Sequence, residues 1–207
     1  FINNNYFTSK DLNRLRRRAA PHTREEEMLV FGTYRLHGEV LEIAAAQAVH
    51  AMMSHGISQP LVDTAVSYNN TNEIKALVSR YPNILIGTKL RKASQVEQDL
   101  QKEKQNYGSN LYRALLHKHM PVSAYLILVQ AKAAGQIKEV GISNYSAQEI
   151  RNLVAALKAL DQAGELPIAL SDAIPDVCQN EFHPFLQTTV PQVCKELGIR
   201  FEAHSVH

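Results

Sequence analysis

Seven short apolar runs recur along the chain, with segments of helical period between them, and this alternation limits the folds open to it more than any other feature. The runs are VFGTYRL (30–36), LVDTA (61–65), ILIGTK (84–89), YRALLH (112–117), IKEVGIS (137–143), VCQNEF (177–182) and IRFEAHS (199–205). They are continuous enough in Val, Ile and Leu to be strands covered on both faces. Between them, EVLEIAAAQAVHAMMSHG carries apolar positions at helical spacing and stops at Gly56. The segments SQVEQDLQKEKQ and SAQEIRNLVAALKAL open on Ser94 with Glu97 and on Ser146 with Glu149. Both pairs read as capping boxes, in which a hydroxyl and a carboxylate satisfy orphan backbone donors at a helix start. Strand followed by helix, repeated, requires a parallel sheet. An open doubly wound sheet and a (β/α)8 barrel both satisfy that pattern.

The remaining bounds are mostly exclusions. A chain of 207 residues supports one domain with a sizeable core, expected over 30–207, after a polar and basic arm over 1–29. A formal net charge of +2 gives no field that would argue for nucleic acid or a membrane surface. No apolar run reaches the roughly 18 to 20 residues needed to span a bilayer, and no secretory signal opens the chain, so the expected location is the cytoplasm. The arm RLRRRAAPH, Arg14 to His22, reads first as a solvated tail. Its alternatives are an assembly contact or the remnant of a mitochondrial or plastid presequence. Cys178 and Cys194 show no metal-ligand spacing and read as buried thiols. Neither G-x-G-x-x-G after the first strand nor a P-loop is present, so a bound nucleotide would need another architecture.

Polar groups stand at the C-terminal edge of each run: Gly32 and Thr33, Asp63, Lys89, His117, Ser143 and Asn144, Gln179, then His204 and Ser205. Barrel enzymes assemble their sites at that edge. The stretch LVDTAVSYNNTNEI adds Tyr68, one short loop beyond Asp63. A phenol near pKa 10 is a poor acid at neutral pH. A Lys89 ammonium about 4 Å away would favour the phenolate by roughly 4 kcal/mol at an effective dielectric near 20, or about three pK units. Asp63 would neutralise and position that ammonium, and His117 would hydrogen-bond a carbonyl oxygen. The expected chemistry is proton donation to an oxygen while hydride reaches the attached carbon. No side chain carries hydride, so a nicotinamide cofactor is implied.

These motifs resemble the aldo-keto reductases from Gly32 to Ser205. The resemblance rests on G-T-Y at Gly32 to Tyr34, DTAVSYNNTNE from Asp63 to Glu73 with one added residue, and TK at Thr88 and Lys89. It continues through LLH at Leu115 to His117, AAGQIKEVGISNYS at Ala133 to Ser146, and QNEFHPFLQ at Gln179 to Gln187. It implies a (β/α)8 barrel of TIM type, NADPH with NADH as the less common choice, and reversible reduction of a small aldehyde or ketone. Asp63, Tyr68, Lys89 and His117 would then be catalytic. Ser143, Asn144 and Gln179 would hold the nicotinamide carboxamide, and Gly32, Thr33, His204 and Ser205 would complete the cofactor site. No metal is expected, although His119 competes with His117 for the histidine role.

Two positions depart from the family pattern: Cys178 stands where Asn is usual, and His204 where a stacking tyrosine is usual. The family's eighth strand and C-terminal loop have no counterpart before His207, which implies a fragment of a longer chain or a reduced relative. An open barrel edge would call for a covering protein partner. The rival reading is therefore a catalytically inactive relative with a structural or cofactor-sensing role in a larger assembly.

Overall fold

The computed structural model describes residues 29–205. All but the last residue of the expected arm, including Arg14 to His22, lies outside that range. Seven strands form one parallel sheet in sequential order: β1 (Val30–Gly32), β2 (Leu61–Asp63), β3 (Leu85–Leu90), β4 (Leu111–His117), β5 (Glu139–Ser143), β6 (Val177–Glu181) and β7 (Arg200–His204). Among the described residues, seven helices lie between them: α1 (Gly38–Ser54), α2 (Thr71–Arg80), α3 (Val96–Tyr107), α4 (Val122–Ala133), α5 (Ala147–Gln162) followed by the single turn α6 (Leu170–Ala173), and α7 (Val190–Leu197). Sequential order with no reversal excludes the doubly wound alternative, whose strand order must switch direction.

The sheet curls into part of a (β/α)8 barrel, and a side-chain contact shows how far. Gln179 on β6 donates through Nε2 to Asp63 Oδ1 on β2 at 3.3 Å. Four strand steps of about 4.8 Å would hold those two roughly 19 Å apart on a flat sheet, with parallel side chains. They meet only because the sheet wraps around a common interior.

The expected elements are present with two differences. The first strand is three residues long, because the chain turns at Thr33 and the backbone N–H of Thr33 donates to Asp63 O at 3.0 Å. The Ser146 and Glu149 pair is a capping box: Ser146 Oγ accepts from Glu149 N, and Glu149 Oε2 accepts from Ser146 N at 2.7 Å. The Ser94 and Glu97 pair is not. A 3-10 turn over Ala93–Gln95 absorbs that serine, and Gln95 becomes the N-cap of α3 without a side-chain bond.

Between sheet and helices lies a continuous apolar layer that includes Val62, Ile86, Leu116, Tyr125, Ile142, Leu157 and Leu197. Among the described residues no helix is long and apolar enough to cross a membrane, and no group of three or more His, Cys, Asp or Glu could hold a metal ion.

Candidate active site

The loop bearing Tyr68 is held from below by buried threonines and one asparagine. Thr33 Oγ1 donates to Asp63 O at 3.0 Å, Thr64 Oγ1 donates to Asn70 Oδ1 at 2.9 Å, and Asn70 Nδ2 donates to Thr33 Oγ1 at 3.2 Å. Asn70, 1% exposed, is the N-cap position of α2, so one side chain ties the exits of β1 and β2 to the following helix. Above this knot Val66–Tyr68 forms a 3-10 turn that ends on left-handed Asn69 (φ 55°) and leaves the Tyr68 ring half-buried. Glu73 Oε1 accepts from the Gly38 N–H at 3.0 Å, which fastens α2 to the start of α1. Thr33 spends its hydroxyl on this knot, whereas Gly32 is exposed, with open space where a Cβ would stand.

Lys89, 4% exposed, projects from β3 and donates to Asp63 Oδ2 as a buried ion pair. Its Nζ also lies over the Tyr68 ring, 5.5 Å from the centroid. Acid and ammonium therefore pair, with the phenol ring beside the ammonium. The expected electrostatics do not hold. Burial first, then the Asp63 charge and the neighbouring Tyr34, push the Tyr68 phenol up to about 12, and only Arg91 pulls it down. The ammonium is engaged by Asp63 and faces the ring, so in this state it does not make the phenol a stronger acid.

Two further charged residues enter the same interior, and the strand-end reading passed over both. Arg113 on β4 is fully buried and grips Glu202 on β7 through two bonds of 2.8 Å. Its Nη2 lies 3.6 Å from Asp63 Oδ1. Gln179 Nε2 donates to Glu202 Oε1 as well as to Asp63 Oδ1, closing the cluster. A Cβ on Gly87 would stand 2.7 Å from Arg113 Nε, so only glycine there leaves room for the guanidinium. A signal for these residues was available. Arg113 is four residues before His117 and Glu202 two before His204, so strand alternation puts each on the same face as the polar group at its own strand end.

At the ends of β4, β5 and β7 stand His117, Ser143 with Asn144, and His204 with Ser205. Asn144 Oδ1 lies 2.9 Å from His204 Nε2, and Asn144 Nδ2 lies 3.4 Å from His117 Nδ1. Burial, followed by the charges of Arg91 and Lys89, lowers the His117 imidazole to about 4, and burial also lowers His204. Both rings are neutral at physiological pH. His119, by contrast, is 60% exposed in its side chain and turns toward Glu149 at 3.9 Å, away from the cluster. Ser143 is 1% exposed, and its Oγ has no hydrogen-bond partner. A buried unpaired hydroxyl costs about 1 to 3 kcal/mol, so it suits a ligand group that both donates and accepts, such as a carboxamide.

Comparison with known proteins bears on the chain as a whole. The Aldo/keto reductase family pattern matches residues 28–206. The chain belongs to the aldo-keto reductase family. No curated protein matches it. Among solved structures, a protein provisionally named 2,5-diketo-D-gluconic acid reductase B superposes with a TM-score of 0.65 at 20% identity, covering 86% of this chain and 61% of its own. A Gox0644 variant in complex with NADPH gives 0.63 at 22%, covering 86% and 63%, and Gox0644 in its apo form gives 0.61 at 22%, covering 85% and 62%. At such identities the likeness concerns the fold. The chain spans about three fifths of the length of these structures.

In this aldo-keto reductase family member the two departures have local accounts. Cys178 is fully buried against Cys194, and that neighbouring thiol together with burial pushes its own thiol far above the usual range. It is a packing residue, and both cysteines are free. His204, at the second position, reaches Asn144.

Proposed function

We propose that this chain carries the carbonyl-reducing site of an NADPH-dependent aldo-keto reductase acting on a small aldehyde or ketone. The observation that carries this reading is the meeting of Asp63, Lys89 and Tyr68 within one buried cluster at the exits of β2 and β3, with His117 at the end of β4. In the proposed reaction Tyr68 gives its phenolic proton to the substrate oxygen. Lys89, held over the ring by Asp63, would stabilise the phenolate left behind only after turning from Asp63 toward the phenolic oxygen, and solvent returns the proton. His117, neutral down to about pH 4, supplies a second hydrogen bond to the same oxygen.

When bound, the nicotinamide supplies the hydride to the carbonyl carbon. Ser143, with its unpaired hydroxyl, would hold the carboxamide, with Asn144 and Gln179 beside it and Gly32, His204 and Ser205 at the rim. The NADPH complex of the Gox0644 variant favours NADPH over NADH. A phenol held at about 12 remains protonated throughout the physiological range, so the donor is always loaded in the reducing direction.

The test is a fluorescence titration with NADPH followed by oxidation of NADPH with a generic aldehyde. Tyr68→Phe is expected to abolish turnover and to leave NADPH affinity within about twofold. Unchanged turnover in that variant would remove Tyr68 from the role. Binding without turnover in the unaltered chain would support instead a non-catalytic, cofactor-sensing subunit of a larger assembly, and absence of binding would leave only a structural role.

A further inference from the structure

Strands β4, β5 and β7 are each followed directly by a residue in the left-handed region: Lys118 (φ 64°), Asn144 (φ 58°) and Ser205 (φ 56°). Asparagine tolerates that backbone best of the three. The Asn144 backbone N–H donates to Gln179 O at 3.0 Å, so its position is set from β6 as well as from its own strand. Its side chain then lies between two histidines from strands on either side, with Oδ1 toward His204 Nε2 and Nδ2 toward His117 Nδ1.

An amide has two unlike ends, since the oxygen only accepts and the nitrogen only donates. Direction therefore propagates along the row. His204 Nε2 must carry a proton to reach Asn144 Oδ1. A neutral imidazole has one such proton, so His204 Nδ1 accepts, and the Ser205 hydroxyl 3.1 Å away is its donor. At the other end His117 Nδ1 must accept from Asn144 Nδ2, which leaves Nε2–H as that ring's single donor. Both rings are held neutral by burial, as this row requires.

We infer that Ser205, His204 and Asn144 form a one-way hydrogen-bond chain that holds His117 in its Nε2–H tautomer, which makes Asn144 and His204 positioning residues. The use of that tautomer rests on the reductase reading: a carbonyl oxygen needs a donor, and the wrong tautomer would offer a second lone pair. The chain itself does not depend on that reading. It also gives His204 a purpose that an apolar aromatic ring could not serve, since the position gives up stacking area for a donor to Asn144. With Asn144 engaged at both ends, the hydroxyl of Ser143 is the free carboxamide partner at this strand end.

Histidine labelled with 15N provides the test, because two-bond correlation spectra distinguish the tautomers directly. The two rings are assigned by the signals lost in His117→Asn and His204→Asn. In the unaltered chain at neutral pH both are expected as Nε2–H. In Asn144→Asp the carboxylate can only accept, so His117 Nδ1 is expected to gain a proton. In Asn144→Gly, which keeps the left-handed backbone, the His117 signals are expected to move to the average of two exchanging tautomers. A His117 protonated on Nδ1 in the unaltered chain would overturn the inference, as would an unchanged His117 pattern in Asn144→Asp. Turnover is read alongside, with kcat expected to fall about tenfold or more in Asn144→Asp. An unaltered chain with no turnover but with His117 as Nε2–H would sink the reductase reading and leave the tautomer assignment standing.

Discussion

At the scale of single residues the site is built from groups kept neutral by burial beside one neutralised ion pair. The Tyr68 phenol stays protonated, because burial and then the Asp63 charge oppose phenolate formation while Lys89 is committed to Asp63; in the proposed role it is a loaded acid rather than an activated one. His117 is the ring whose neutrality the proposed hydrogen bond requires, and that neutrality has a stability consequence with a definite sign. Its native value of about 4 lies below the usual 6.5, so between those limits the unfolded chain binds more protons than the folded one. Stability contributed by this ring is fully present above about pH 6.5 and falls as pH drops toward about 4. His117→Gln is expected to show a shallower decline over that window in denaturant unfolding. Parallel curves for the two proteins would show that the ring is not held neutral.

At the scale of elements, the strands were legible because a parallel sheet covered on both faces leaves continuous Val, Ile and Leu runs, and every one of the seven is a strand. The polar groups at strand ends were legible for the same reason, since they interrupt an otherwise apolar pattern. Arg113 was harder to read. The register between β3 and β4 shifts after Ile86, which pairs with Leu111, so that Gly87 pairs with Arg113 and Tyr112 is the added residue. A bulge of this kind cannot be seen in either strand alone, yet it aligns Asp63, Gly87 and Arg113 in one row across three strands. Ser94 misled because the serine and glutamate spacing is necessary for a capping box but not sufficient; the preceding turn decides where the helix begins. Glycine carries a similar lesson at β5. A Cβ on Gly141 would meet the Val177 carbonyl oxygen and, at 2.6 Å, both Leu115 Cδ2 and Val177 Cγ1. Backbone cannot step aside as a flexible side chain can. Gly141→Ala is expected to cost at least about 2 kcal/mol in urea unfolding, against less than about 0.5 for Gly32→Ala, where nothing lies within 4 Å. Equal costs at the two positions would mean that β5 and β6 are not packed this closely.

At the scale of the whole molecule, the curl of the sheet is inseparable from the charges it encloses. Three acids, Asp63, Glu139 and Glu202, face three bases, Lys89, Arg113 and Arg200, with Arg200 gripping Glu139 through bonds of 3.0 and 2.7 Å. The set is balanced, and among Asp63, Lys89, Arg113 and Glu202, the members removed from water, loss of one leaves an uncompensated charge. Burial pushes the Glu202 carboxyl up, but the hydrogen bonds and charge of Arg113 overcome it and hold the group below its usual range. Breaking a buried pair costs about 3 to 5 kcal/mol, whereas replacing both partners by apolar groups of similar volume is often neutral or stabilising. Glu202→Gln is therefore expected to lower stability by about 3 kcal/mol, and Arg113→Met combined with Glu202→Leu to recover most of that loss. The two outcomes separate a specific electrostatic clasp between β4 and β7 from simple packing. On the proposed reading, NADPH affinity should not recover with stability in the double variant, because Gln179 bonds to Glu202 on one side and to Asp63 on the other and there loses the first. A single variant that unfolds no more easily than the unaltered chain would show that Arg113 is satisfied by Asp63 alone. The enclosed charges would then be set by the curl of the sheet rather than helping to hold it.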